Sequence, residues 1–379
     1  MPSPRGKVNS GIFWNSLTNR YAVMNSSEII SQSSSLTEAR SNQRQIAYWL
    51  LFVCAMVFAM VVLGGVTRLT HSGLSMTDWK PITGWLPPLS EAAWMAEFER
   101  YKTFPEYIKI NKGMDLEGFK SIFWFEFSHR VLGRTVGIVF LLPFLYFLWR
   151  KKVEQGLGPK LWIMFALGGL QGFMGWWMVA SGLVDHPDVS QYRLTAHLGL
   201  AIVIYAYGLW IAMGLLVPAS AHRRERVDKL LKQSIMLAIA VFVVMLSGGL
   251  VAGLDAGFAY NTFPTMNGQW IPDGIMSMTP WYMNFGENTI TVQFDHRWLA
   301  TLTGVAAILY WIKTLSVDLS PGVQGMQHLM LLAVVGQITL GILTLLYVIP
   351  LPLAAAHQAG ALVLLTAVLA AAHALKVEG

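Results

Sequence analysis

The chain has 379 residues, of which 54% are hydrophobic and only 13% charged, with a net charge of +6. A soluble domain of this length would carry about twice that charged fraction, so an ordinary soluble enzyme is excluded. No basic stripe is interleaved with aromatics, which excludes a nucleic-acid-binding module.

A membrane-spanning helix needs about 20 mainly apolar residues. In chain order, residues 1–45 are polar, Ser-rich and poor in acids, with Arg5, Lys7, Arg20, Arg40 and Arg44. They read as a disordered tail, with a mitochondrial targeting segment as the alternative. Eight apolar stretches follow, at 46–66, 121–149, 160–183, 192–217, 233–253, 289–315, 325–348 and 353–375. The fold class expected is an all-α polytopic membrane protein of eight helices. A β-barrel would instead show short alternating segments. Cys54, the one cysteine, lies within the first stretch and reads as packing.

Orientation follows from Lys and Arg in short loops. "RKKVEQGLGPK" follows the second stretch and "HRRERVDKLLK" the fourth, whereas "SGLVDHPDVSQYR" and "YVIPLPLA" are poor in both. The basic side, with both termini, is expected to be cytoplasmic in a bacterial inner membrane. The alternative is the matrix side of a mitochondrial inner membrane.

The chain also repeats itself. "GGVTRLTHSGLSMTDWKPITGW" echoes "GGLVAGLDAGFAYNTFPTMNGQW", and "EFSHRVLG" echoes "QFDHRWLA". "GGLQGFMGW" echoes "VGQITLGIL", matching Gln171 with Gln337 and Gly175 with Gly341; "LTAHLGLAIV" echoes "AAAHQAGALV". Two parallel halves of four helices are expected, 46–217 and 233–379, joined by a basic linker at 218–232. Each half would form a four-helix bundle, a natural place for a cofactor between facing helices.

Four of the nine histidines fall at repeat-matched places, His129 with His296 and His197 with His357. All four helices run the same way, so the histidines should share one depth in the outer half of the bilayer. A lone intramembrane histidine is readable as a polar contact, although such groups are functional by default. Two imidazoles from separate helices can supply both axial ligands of a haem. One such pair gives too few ligands for zinc, which takes three or four from protein. His71, His186, His222, His328 and His373 have no repeat partner and read as loop or helix-end residues.

The halves differ beside these histidines. Glu126 lies three residues before His129, where the second half has Gln293. A carboxylate there can move a proton or hold a substrate, so the first half is the candidate for chemistry and Glu126 the candidate catalytic residue. The structural alternative is an ion pair with Arg130 at i+4. Arg130, Arg134, Arg193 and Arg297 lie near the histidines and could hold haem propionates in a guanidinium fork or snorkel to headgroups. Arg68 and Asp78 occur only in the first outer loop and read as loop surface.

At this point the chain resembles the haem A synthase family. The segments that carry the resemblance are "GGVTRLTHSGLSMTDWKPITGWLPP", "FWFEFSHRVLGR", "QYRLTAHLGLA", "AGFAYNTFPTMNGQWIP", "FDHRWLA" and "AAHQAGALVLL". It is similar to the alphaproteobacterial and mitochondrial branch, without the cysteine pair that another branch carries in the first outer loop. The resemblance implies oxidation of the C8 methyl of haem O to a formyl group by successive hydroxylations, giving haem A for cytochrome oxidase. It implies that His129 and His197 serve the substrate haem O and that His296 and His357 hold haem b. It also implies proximity to a haem O synthase and a ferredoxin-type electron donor, and small-residue helix faces permit a homo-oligomer. The main rival is a dihaem electron-transfer cytochrome b, which needs neither Glu126 nor unequal halves.

Overall fold

The computed structural model describes residues 26–78, 84–182, 189–222 and 224–378. It is helical throughout; among the described residues the one β-bridge, Met266 with Gln269, stands alone. The helices in chain order are α1 (Ser26–Leu69), α2 (Glu91–Tyr101), α3 (Pro105–Lys109), α4 (Leu116–Trp149), α5 (Leu157–Gly182) and α6 (Gln191–Leu216). There follow α7 (Glu225–Gly253), α8 (Asn284–Glu287), α9 (Thr289–Thr314), α10 (Pro321–Leu346) and α11 (Leu351–Val377). Their starts are legible locally. The Asp115 side chain accepts from the Gly118 N–H at 2.8 Å to open α4, and Asn288 accepts from Ile290 and Thr291 to open α9. Both satisfy N–H groups that a helix start leaves without a partner. Proline in the first turn opens α10 and α11, where its missing N–H is no loss.

Two expectations change. Of the polar region 1–45, residues 26–45 are helical and continue into α1, while residues 1–25 lie outside those described. Seven described helices, not eight, are long and apolar enough to cross a membrane. The exception is α9, whose Gln293, Asp295, His296 and Arg297 lower its apolarity although its 26 residues match α5, α6 and α10 in length. The candidate-site residues are what make it polar.

Packing follows the internal repeat. In the first half α1 lies against α4 and α6, and α5 against α6; in the second α7 lies against α9 and α11, and α10 against α11. The halves meet through α6 with α7, α1 with α11, and α6 with α11. Lipid offers no hydrophobic drive between helices, so close packing and interhelical hydrogen bonds must hold them, the latter averaging about 0.6 kcal/mol each. The Tyr205 and Thr366 hydroxyls join α6 to α11 at 2.7 Å. Gln327 accepts from Tyr310 at 2.9 Å and donates to the Ala371 carbonyl at 3.2 Å, tying α9, α10 and α11. Cys54 is buried, its thiol against the Tyr205 carbonyl, as the packing expectation required.

Glycines set the closest approaches between halves. A Cβ on Gly65 of α1 would fall on the Gln358 amide of α11, whose Nε2 donates to the Val61 carbonyl at 2.8 Å. At the repeat-matched place, Gly249 of α7 lies against Thr195 and Leu198 of α6.

Candidate functional site: two histidine pairs under two caps

The four repeat-matched histidines stand on α4, α6, α9 and α11, and all four are half-buried. His129 lies within Coulombic range of His197, and His296 of His357, so the pairs form within each half. Each ring faces a glycine of a neighbouring helix. A Cβ on Gly64 would lie 3.0 Å from His129 Nε2, and one on Gly175 3.1 Å from His197 Cε1. A Cβ on Gly248 would lie 3.2 Å from His296 Cε1, and one on Gly341 2.9 Å from His357 Cε1. Any larger residue would press on the ring. Gly175 and Gly341 are legible as a repeat pair in the sequence. Gly64 and Gly248 lie in the repeated Gly-Gly, but their role as ring seats needs the fold.

Further contacts orient the rings. Gln171 donates to the His197 carbonyl at 3.1 Å with its amide nitrogen 3.2 Å from Nδ1. Gln337 does the same at His357, at 3.0 and 3.1 Å. The Oε1 atoms of both glutamines are buried without a partner among the described residues. His296 Nδ1 lies 2.8 Å from the Ser247 hydroxyl. The repeat-matched residue in the first half is Leu63, which offers no such group. Ser247 was missed in the sequence because a helical serine ordinarily bonds its own preceding turn; alignment with Leu63 is the signal that could have found it.

Among the described residues no group of three or more His, Cys, Asp or Glu could hold a metal ion. Two nitrogens per site suit a group that carries its own equatorial ligands, such as a haem. The glycine seats, which keep the ring faces clear of side chains, fit that group.

The residues flanking the histidines hold the outer loops. Glu126 is buried. Its carboxylate accepts from the Ser75 hydroxyl at 2.9 Å and the Met76 N–H at 2.6 Å, and is paired with Arg130. Arg130 also donates to the carbonyls of Met76 and Asp78, both at 2.8 Å. In the second half Arg297 donates to the carbonyls of Tyr260 at 2.6 Å and Thr262 at 2.8 Å. In the repeat, Tyr260 matches Met76 and Thr262 matches Asp78, so both arginines clamp equivalent backbone. Gln293, opposite Glu126, donates to the carbonyls of Tyr260 at 2.9 Å and Gly257 at 3.2 Å. The ion pair of Glu126 with Arg130 is therefore present, and the forks of Arg130 and Arg297 face loop carbonyls. A carboxylate that gathers donors in one half is replaced by an amide that seeks acceptors in the other.

The remaining arginines have similar tasks. Arg134 donates to the Gly84 carbonyl at 3.0 Å. Arg193 donates to the Trp177 carbonyl at 2.8 Å with its guanidinium 4.5 Å from the indole. Arg68 and Asp78 are more than loop surface. Arg68 reaches across to Asp255 of the second cap, the outer connection between α7 and α9, at 2.9 Å, and Asp78 of the first cap, the connection between α1 and α4, pairs with Arg100. Of the unmatched histidines, His328 accepts from the Trp311 indole at 3.0 Å, His373 is buried against Trp210, and His186 lies outside the described residues.

The first cap has its own core, in which Phe98, Tyr101, Phe119, Phe123 and Phe127 pack with Trp94. Tyr101 is fully buried, donates to Glu106 at 3.1 Å and accepts from Asn111 at 2.7 Å. Burial pushes its phenol well above the ordinary range, and the Glu106 carboxylate adds to this, so it stays neutral. Phe127, two residues before His129, joins this cap to the site. The second cap is tied by Asn284 and Asn288 instead, with Asn288 donating to the Gly274 carbonyl at 2.9 Å.

A family model, COX15-CtaA, described as a cytochrome oxidase assembly protein, matches residues 47–369. Heme A synthase of Nitrosospira multiformis is 54% identical over 335 residues, 88% of this chain and 94% of that protein. Heme A synthase of Parvibaculum lavamentivorans is 45% identical over 335 residues, 88% of this chain and 95% of that protein. Heme A synthase COX15 of Arabidopsis thaliana is 48% identical over 344 residues, 88% of this chain and 75% of that protein.

Proposed function

The chain belongs to the COX15-CtaA family of cytochrome oxidase assembly proteins, and on that premise we propose that it is a haem A synthase. It oxidises the C8 methyl of haem O to a formyl group through two hydroxylations and loss of water. The observation that carries this is the pair of histidine pairs, each ring seated on a glycine, in a chain 45–54% identical to several proteins named for that activity.

The architecture proposed with it is eight spans in two parallel four-helix bundles. The 26 residues of α9, the length of α6 and α10, and its packing against α7 and α10 support including that helix as a span. The Lys- and Arg-rich connections support a reading with both termini on the cytoplasmic side of a bacterial inner membrane, or on the matrix side of a mitochondrial one. A haem O synthase nearby and a ferredoxin-type donor belong to the same proposal.

His129 and His197 are assigned to the substrate haem O, and His296 and His357 to a resident haem b. A bound haem supplies one-electron chemistry at iron; the chain supplies the seat, the orientation and the proton handling. Glu126 is proposed as the proton-handling carboxylate, one helical turn before His129. It also fixes Ser75 and Met76, so it closes the first cap over the site. Arg297 keeps a buried Nε–H without a partner among the described residues, a donor suited to a propionate, and Arg130 is the matching candidate in the first half.

The test is to express the chain with a haem O synthase, extract the haems and separate them by chromatography, with His129→Ala and His357→Ala alongside. Haem b together with haem A or its hydroxylated precursor is the expected result. Haem b with an unmodified haem O pool would favour the dihaem electron-transfer cytochrome.

A further inference from the structure

We propose that Ser247 is a positioning residue that fixes His296 in its iron-binding tautomer, and so makes the second half the site that retains its haem. This rests on the haem-binding function proposed above. A serine hydroxyl has one hydrogen to give. Ser247 gives it to the Val244 carbonyl, 2.8 Å away and one turn earlier in α7. Its lone pairs then face His296 Nδ1 at 2.8 Å, so the ring must carry its proton on Nδ1 to complete the contact. With the proton held on Nδ1, the Nε2 lone pair is left for iron.

The same hydrogen bond makes the imidazole a stronger donor to the metal. It favours ferric over ferrous iron, which lowers the reduction potential. His357 instead faces the Gln337 amide nitrogen at Nδ1, with no hydroxyl among the described residues bonded to its ring. In the first half position 63 is leucine, and His197 faces the nitrogen of Gln171. Among the described residues of that half, no hydroxyl is bonded to the His129 or His197 ring. A site that must admit one haem and release another is better without it.

The experiment uses the full chain, purified in detergent from haem-replete cells that make no haem O. Haem transfer to excess apomyoglobin is timed, and the midpoint potential and the ferric EPR spectrum are recorded. The variants are Ser247→Ala, Ser247→Leu and Ser247→Thr. The alanine and leucine variants are expected to release haem about tenfold faster or more, with a raised potential and shifted low-spin g values. Threonine, which keeps the hydroxyl, restores all three. Release, potential and g values unchanged in Ser247→Ala overturn the proposal. Should that variant not fold, Ser247→Cys, similar in shape but a weaker acceptor, must lie between wild type and loss; wild-type values there overturn it too. A wild-type chain that takes up no haem overturns the function itself, before any variant is compared.

Discussion

The two halves use the same helices, the same ring-on-glycine contact and the same arginine clamp, yet differ wherever a proton or a ligand could be exchanged. The second half has Ser247 behind one histidine and neutral Gln293 under its cap. The first has Leu63 and the buried, ion-paired Glu126 in those places, and a larger cap with an aromatic core. The shared contacts define a common way to seat a flat ligand between helices. On the function proposed above, the differences divide the labour, one half to hold and the other to work.

Seating is the first thing to break. Gly341→Ala would bring a methyl to 2.9 Å from the His357 ring, a contact that must displace the ring. Overpacking of this kind costs about 1–3 kcal/mol. The expected outcome is loss of low-spin haem from the second half, read by absorbance of the purified protein. Gly64→Ala, at 3.0 Å from His129, should remove haem O binding and leave the second-half haem in place. Equal damage to both haems by either variant would show that the halves are not separate seats.

Exchange of the caps' anchors tests the division of labour. Glu126→Gln gives the first half the residue of the second. The carboxamide would keep one acceptor oxygen but turn its other end into a donor toward either Arg130 or the Ser75 hydroxyl and Met76 N–H, and a buried donor left unsatisfied costs about 1–3 kcal/mol. Glu126→Ala should keep bound haem but stop product formation, measured by chromatography of extracted haems. Normal haem A output from the alanine variant would remove Glu126 from the chemistry and leave it as a cap anchor alone.

The smallest effect is expected between the caps. Asp255 is half exposed in its pair with Arg68, and such pairs contribute about 0–1 kcal/mol. Arg68→Ala should shift the thermal midpoint by no more than a few degrees at low salt and less at high salt. A large, salt-independent loss would mean that the caps act as one unit.

Hydropathy made the helices legible, and the repeat made the four histidines legible, because both signals lie in residue type and order. Three features were not. Residues 26–45 are polar and so read as tail, although serine, glutamate and arginine are compatible with the first turns of α1. The partners of Arg130 and Arg297 could not be read because haem propionates and loop carbonyls are both acceptors for a guanidinium. The carbonyls that Arg130 reaches lie more than fifty residues earlier in the chain, and only the folded cap brings them there. Ser247 escaped because its contact joins two helices at a distance no periodicity encodes.

The interlock at Gly65 and Gln358 has a consequence for biogenesis. The Gln358 amide is completed by the Val61 carbonyl of α1, the earliest of the described spans in chain order, whereas Gln358 belongs to α11, the latest of them. Until α11 is inserted, the groove at Gly65 stays open to lipid, and until α1 is in place the Gln358 amide has no mate. The described bundle is thus closed by a contact between α1 and α11. Separately expressed halves should therefore be short-lived in the membrane unless made together.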